Sequence, residues 1–312
     1  MDNVGFYKHL LHELAALITN DYILLDLPYF TNVGDVLIWQ ATLDVLKKIN
    51  HKCLYSASIE TYVKPQIAKD VIVVFMGGGN FGDLWFRHQT FRHRVLTDFP
   101  DNPILQLPQS VFFESDKNLN DDIGFFCTHK GSVTICLRDK QSYDFIEQKY
   151  PDVRTLLMPD MVLGFDIKKY ANFTNGHGAV LVKRKDKERV EISEDLTDKT
   201  AVADWPMMDK PDSVLGIILR AMRLVQKIDR SDKGCTRKKI EDFFYKNIIK
   251  KHIIKKGIKF LQPYRTIYST RLHAGILAWL LKKDVYLYDN SYGKIKGVYD
   301  LWLKDQENVH MN

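Results

Sequence analysis

Residues 70–76 read Asp-Val-Ile-Val-Val-Phe-Met and run unbroken into Gly77-Gly78-Gly79-Asn80-Phe81-Gly82-Asp83. A short β-branched run without polar alternation suits a parallel strand covered on both faces. Parallel neighbours need crossover connections, so this run commits the chain to repeated strand–loop–helix units rather than to hairpins. The flanking segments agree. Residues 21–27 are a second short apolar run, followed by a polar turn at 31–35. Residues 36–49 then carry Val36, Leu37, Ala41, Leu43, Val45, Leu46 and Ile49 at helical spacing. Further strands are expected at 103–107 and 132–137, with a helical pattern over 141–149.

The pattern restarts after Pro159-Asp160. Residues 164–178 are polar and contain glycine, the expected linker. A strand at 179–183 leads into a dense charged loop at 183–194, followed by a strand at 200–203 and a helix at 213–228. The stretch 236–260 is basic and periodic. A strand at 265–269, a helix at 273–282 and a final strand at 284–288 complete the pattern. At roughly 100–200 residues per domain, 312 residues make two domains. The expected fold is α/β, with two Rossmann-like domains, 1–165 and 166–312, facing a cleft.

The charge balance, 45 Lys and Arg against 39 Asp and Glu, leaves +6. That is too mild for a nucleic-acid protein and suits an anionic ligand or an anionic membrane surface. No apolar run approaches the ~20 residues needed to cross a bilayer. Residues 1–5 lack the basic-then-apolar pattern of a secretory signal, so a cytoplasmic location is expected. Cys53, Cys127, Cys136 and Cys235 lie far apart with no Cys-x-x-Cys pair, which argues against zinc and against a disulfide framework.

Ligands of open α/β sheets bind beyond the carboxyl ends of the strands, and four polar clusters fall there. In Asn32-Val33-Gly34-Asp35, either polar side chain can cap the helix, but capping requires neither both nor the glycine between them. The loop 77–83 can present N–H donors to an anion or a sugar hydroxyl. Gly77, Gly79 and Gly82 match a Gly-x-Gly-x-x-Gly spacing, but the strand is not the first. No acidic residue closes a following strand at the right distance, so a ligand loop is expected rather than a dinucleotide fingerprint. Arg138, after the strand at 132–137, points into the crevice, or else forms a surface ion pair with Asp139 or Asp144. Arg271 and His273 bring a planar charge fork and a proton donor to one helix N-terminus. The stretch 236–260 reads as an amphipathic helix packed on its domain, with membrane-surface docking as the alternative.

Taken in order, NVGDVLIWQA, VVFMGGGNFGD, LPQSV, CLRDKQSY, MPDMVLGFD, Asp204-Trp205 and TRLHAGILAWLLKKDVYLYDNSYGK resemble the polysaccharide pyruvyltransferase family from about Asn32 to Lys294. The resemblance implies a GT-B-like pair of Rossmann-type domains. It also implies transfer of pyruvate from phosphoenolpyruvate to a sugar of a cell-surface glycan or its lipid-linked precursor, as a ketal. Arg138, Arg271 and His273 match the donor-binding positions, and Lys294 is similar to a further phosphate-side contact. Asn32, Asp35, Gly78, Gly79, Asn80 and Asp83 would face the acceptor. The charged loop from Arg184 and the basic helix match no motif.

The chemistry fits this inventory. A phosphate and a carboxylate on one donor call for fixed cations. Protonation of the methylene carbon opens the way for a sugar hydroxyl to attack; phosphate then leaves and a neighbouring hydroxyl closes the ring. His273 is the natural acid, and Asp35 or Asp83 can orient or deprotonate the acceptor. Phosphoenolpyruvate is the co-substrate, and neither a further cofactor nor a metal is expected. Partners are a glycan acceptor, lipid-linked, and peripheral contact with the inner face of the cell membrane. Two rivals share the fold: a nucleotide-sugar glycosyltransferase and an inactive glycan-binding protein. Intact Arg138, Arg271 and His273 argue against the second.

Overall fold

The computed structural model describes residues 1–186, 192, 200–207, 210–228, 235–289 and 293–312. Two open sheets carry the architecture, and every strand pair in them is parallel. The first contains β1 (Tyr22–Leu25), β2 (Cys53–Ala57), β3 (Ile72–Phe75), β4 (Gly78–Gly82), β5 (Ile104–Phe112), β6 (Val133–Leu137) and β7 (Arg154–Leu157). Its order is β2-β1-β3-β5-β6-β7, with β4 alongside β5. The second contains β8 (Ala179–Val182), β9 (Ala201–Ala203), β10 (Thr266–Ser269), β11 (Asp284–Leu287) and β12 (Val309–Met311), in the order β9-β8-β10-β11-β12. Strand order reverses between β1 and β3 in one sheet and between β8 and β10 in the other. Those reversals open crevices at the carboxyl ends.

Alternation along the strands splits the first sheet's apolar residues between two cores. Ile23, Leu25, Val73 and Phe75 face α3 (Phe86–Asp98), α4 (Asp116–Cys127) and α5 (Lys140–Lys149). Tyr22, Leu24, Ile72 and Val74 face the other way. They join a single apolar core that includes α1 (Asn3–Leu17) and α2 (Val33–Leu46) and continues to Val180, Ile267 and Val285 of the second sheet. Phe6 of α1 packs edge-on against both Trp279 and Trp302. The two sheets are thus joined by buried apolar surface as well as by the chain.

Several elements depart from the sequence reading. Asp2 caps α1, an unforeseen helix, by accepting from Gly5 N at 2.8 Å. The glycine stretch is a strand, β4, because β5 is long enough to pair with it. Also unforeseen were β2, β7, α3 and α4, and β12 follows the strand expected to be last. In the expected linker, Phe165 and Ile167 are buried, and the chain reaches the surface only beyond them. Of the charged loop, residues 187–191, 193 and 194 lie outside the described residues. Among the described residues no helix is long and apolar enough to cross a membrane.

The basic stretch forms three segments: α7 (Cys235–Phe244), following α6 (Ser213–Ile228), then a π-helical turn (Tyr245–Ile249), then α8 (Lys250–Leu261). Ile249, Ile253, Ile254 and Ile258 are buried, so its apolar face is packed on the core, where α8 meets α2. Lys250 is caught in that contact, its ammonium 4.6 Å from the Trp39 ring centre. Burial lowers its pKa to about 8. A lysine held below its ordinary value costs stability when protonated, and the cost fades as pH rises from about 8 toward 10.5. Lys250→Met is therefore expected to raise Tm at pH 7, with the gain shrinking above pH 8. Thermal unfolding of both proteins across pH 6–10 checks this.

Candidate active site

A cavity of about 390 Å³ is lined by segments that follow β1, β3, β6, β8, β9, β10 and β11. Such a volume accommodates a small-molecule ligand. Asn32, Asp35, Gly79, Asn80, Arg138, Arg271, His273 and Lys294 all line it. Gly78 lies just behind, where an added Cβ would sit 3.5 Å from Asp35 Oδ1. Asp83, expected on the acceptor side, is not among these lining residues. Its carboxylate instead accepts from the backbone N–H groups of Glu114 and Ser115, each at 2.8 Å, and from Asn118 Nδ2 at 3.2 Å. It fixes the approach to α4.

At the centre is a buried charge network. Arg138, 1% exposed, donates through Nη1 to Asp160 and through Nε to Ser110 Oγ at 2.9 Å. Neither Asp139 nor Asp144 pairs with it: Asp139 caps α5 through Ser142 N, and Asp144 pairs with Lys140. Asp160 also faces His273 Nε2 at 3.2 Å and accepts from Val162 N at 2.8 Å. Burial pushes the Asp160 carboxyl up, but His273 and Arg138 outweigh it and hold the group well below the usual carboxylate range. His273 opens α9 (Leu272–Leu280), with its Nε2 also 3.3 Å from Arg138 Nη1.

The glycines of two motifs make room for these side chains. A Cβ on Gly34 would lie 2.6 Å from His273 Nδ1. One on Gly79 would meet Lys294 Nζ at 2.1 Å and Arg138 Nη2 at 3.0 Å. Both positions bring backbone against a side-chain nitrogen of the network, which side-chain bulk would forbid. Asn32 is the cap of α2, accepting from Gly34 N at 3.0 Å. Asp35 is half-buried, and among the described residues it has no hydrogen-bond or ion-pair partner. Burial pushes its carboxyl up; His273, His88, Lys294 and Arg138 oppose that without overcoming it.

On the second sheet's side Arg271, 4% exposed, grips Asp204 with Nε and Nη2, and Nη2 also reaches Asp186 at 3.2 Å. The fork expected to meet an anion is thus turned onto Asp204, which leaves Nη1 for the cavity. Arg184 holds Asp186 from the other side at 2.7 and 3.1 Å. Asp160 and Asp204 lie within the sequence motifs, which reveal no role for either. His88 and the aromatic wall of Phe30 and Trp85 also line the cavity, with Asp26 behind His88, and no motif makes any of these stand out in the sequence. An acidic residue just beyond a strand end was the available signal for Asp26 and Asp160. Among the described residues no group of three or more His, Cys, Asp or Glu side chains is placed to hold a metal ion.

Removing one partner from a buried ion pair leaves the other charge uncompensated, at about 3–5 kcal/mol. Asp160→Asn is expected to lose stability on that order, measured by urea unfolding at pH 7. A depressed carboxyl stabilises above its unfolded value, near 3.9, and loses that contribution as pH falls through the folded one. The difference between the two proteins should therefore narrow below about pH 4.

A profile of the polysaccharide pyruvyl transferase family matches residues 32–292. EpsO of Bacillus subtilis is 26% identical over 288 residues, covering 91% of this chain and 86% of EpsO. Pyruvyl transferase 1 of Schizosaccharomyces pombe is 27% identical over 325 residues, covering 96% of this chain and 72% of its own. The crystal structure of a Klebsiella pneumoniae protein matches with a TM-score of 0.63 at 19% identity, over 100% of this chain and 99% of that one. At that identity the likeness speaks for the fold alone. The matched span runs from the cap of α2 past β11 and takes in the buried network and both arginine-bearing loops, so the chain belongs to the polysaccharide pyruvyl transferase family.

Proposed function

We propose that the protein transfers pyruvate from phosphoenolpyruvate to a sugar diol of a polysaccharide or its lipid-linked precursor, forming a ketal and releasing phosphate. The observation that carries this reading is one cavity in which Arg138, Arg271 and Lys294 gather beside His273 and Asp35. The three cations suit a donor bearing phosphate and carboxylate. His273 delivers the proton to the methylene carbon, with Asp160 balancing imidazolium charge. The carbon bearing phosphate then takes a sugar hydroxyl, phosphate leaves with the C–O electron pair, and the neighbouring hydroxyl closes the ring. Asp35 receives one hydroxyl proton.

In this reading residues 1–165 and 166–312 are two Rossmann-like domains in a GT-B-like arrangement, and no cofactor is needed beyond the co-substrate. Asn32, Gly79 and Asn80, with Phe30 and Trp85, form the acceptor side. The protein works in the cytoplasm, where a lipid-linked acceptor lies at the inner membrane face. Contact there through 236–260 would fall to Phe243 and Ile248, which are 57% and 38% exposed.

Two sets of measurements test the proposal. Phosphoenolpyruvate, and not a sugar nucleotide, is expected to raise Tm; the reverse result would establish the glycosyltransferase instead. With phosphoenolpyruvate and β-galactoside or N-acetylhexosamine acceptors, phosphate release should accompany a mass gain of the glycan. Arg271→Lys gives up the grip on Asp204 and with it the placed Nη1 donor; one charge-assisted hydrogen bond is worth roughly 1.5–3 kcal/mol, so donor affinity should drop about 10- to 100-fold. His273→Gln should lower kcat by on the order of 10²–10⁴ with little change in donor binding. Near-normal turnover in that variant would move the acid elsewhere.

Gly34→Ala supplies a geometric test. The new methyl would occupy the His273 ring position, so kcat should fall while urea unfolding shows a folded protein. Unchanged kcat would mean that the imidazole position against Asp160 does not matter.

A further inference from the structure

Beside the cavity stands a second buried acid–imidazole pair that the steps above do not use. Asp26 follows β1 with φ at 65°, a conformation rare for residues other than glycine, and its side chain is 1% exposed. Its Oδ2 accepts from Arg92 Nη2 at 3.3 Å, and its Oδ1 lies 2.8 Å from His88 Nδ1. Arg92 is fully buried and is held in turn by Gln106, Gln89 and Asn80. Asn80 Oδ1 accepts from Arg92 and from Gln109, which turns its amide nitrogen toward His88 Nδ1 at 3.1 Å.

This arrangement sets the tautomer. A carboxylate paired with arginine only accepts, so the shorter contact, 2.8 Å, puts the proton on Nδ1, and Asn80 Nδ2 at 3.1 Å is then a neighbour of that N–H rather than a donor to the ring. The lone pair of neutral His88 is then on Nε2. Among the described residues that atom has no hydrogen-bond partner, and the ring, 17% exposed, lines the cavity beside Phe30. A buried acceptor fixes one nitrogen of the imidazole, and the other is left for a ligand.

We infer that His88, oriented by Asp26, is a second proton acceptor, taking the proton of one of the two sugar hydroxyls that the ketal bridges. The inference rests on the reading of the site as a phosphoenolpyruvate-dependent transferase. Two C–O bonds form at one carbon, a C–H bond forms at its neighbour and an O–H bond on phosphate, while the C=C π bond, the C–O bond to phosphate and two sugar O–H bonds break. Of the two protons released, one passes by way of Asp35 to restore the acid that protonated the methylene carbon, and the other passes from His88 to the departing phosphate. His273 must regain the proton it gives to the methylene carbon, and Asp35 holds one proton at a time. His88 lines the same cavity as Asp35 and supplies the second acceptor. Asp26 acts only through the ring and is a positioning residue.

The test uses the full chain with phosphoenolpyruvate and a panel of p-nitrophenyl β-galactoside and p-nitrophenyl N-acetylhexosaminides, followed by phosphate release. His88→Gln is expected to lower kcat by about 10²–10³ while the Kd for phosphoenolpyruvate stays within about threefold. Imidazole added to His88→Ala should restore part of the rate, which a merely structural role would not allow. Near-normal kcat in His88→Gln overturns the inference, as does a rate loss in His88→Ala that tracks lost donor binding and ignores imidazole. Asp26→Asn leaves buried Arg92 without its carboxylate, so the His88 variants decide. Failure of the parent reading would show first in the wild-type protein, as no phosphate release with any acceptor and no Tm shift with phosphoenolpyruvate.

Discussion

The buried Asp160 carboxylate, gripped by Arg138 and facing His273, is the constraint around which the remainder is arranged. Its three members come from the ends of β6, β7 and β10, so the network ties one sheet to the other at the place where the cavity forms. Charges taken this far from water stay only when each finds a partner. That requirement fixes the register of three loops at once. It also explains the glycine at position 34, since the imidazole reaches Asp160 only by lying on bare backbone.

A similar economy operates on the other wall. Arg271 is an anion-binding residue by type, yet two of its nitrogens are committed to Asp204 and Asp186. Holding a guanidinium by one edge fixes the direction of the remaining N–H groups, which matters more for orienting a small anion than total charge does. Arg138 is held in the same manner, by Ser110 and Asp160, with Nη2 toward Gly79.

How much of this was legible in the sequence depends on the range of each residue's interactions. The β3 run and the helix starting near Val36 were readable because their burial is expressed in consecutive residues. In α3 the buried face includes Gln89 and Arg92 beside Phe91, Val95 and Leu96, so polar side chains broke the apolar period. The glycine-rich β4 has almost no side chains to advertise a strand. Arg138, Arg271 and His273 were legible by position, just past strand ends. Asp83 shared that position but spends its oxygens on α4, a local use that its motif does not reveal. Asp160 and Asp26 find their partners far along the chain, 22 and 113 residues away for Asp160 and 62 and 66 for Asp26. Their place just beyond a strand end is legible, but the partners that give them a role are not.

The apolar core that passes without interruption from Leu24 and Val74 to Val180, Ile267 and Val285 bears on how a ligand enters. A hinge between the sheets would have to part close-packed side chains, and such cores resist graded deformation. The cavity is therefore shaped before anything arrives, and the entropy of arranging its walls is lost during folding rather than at encounter.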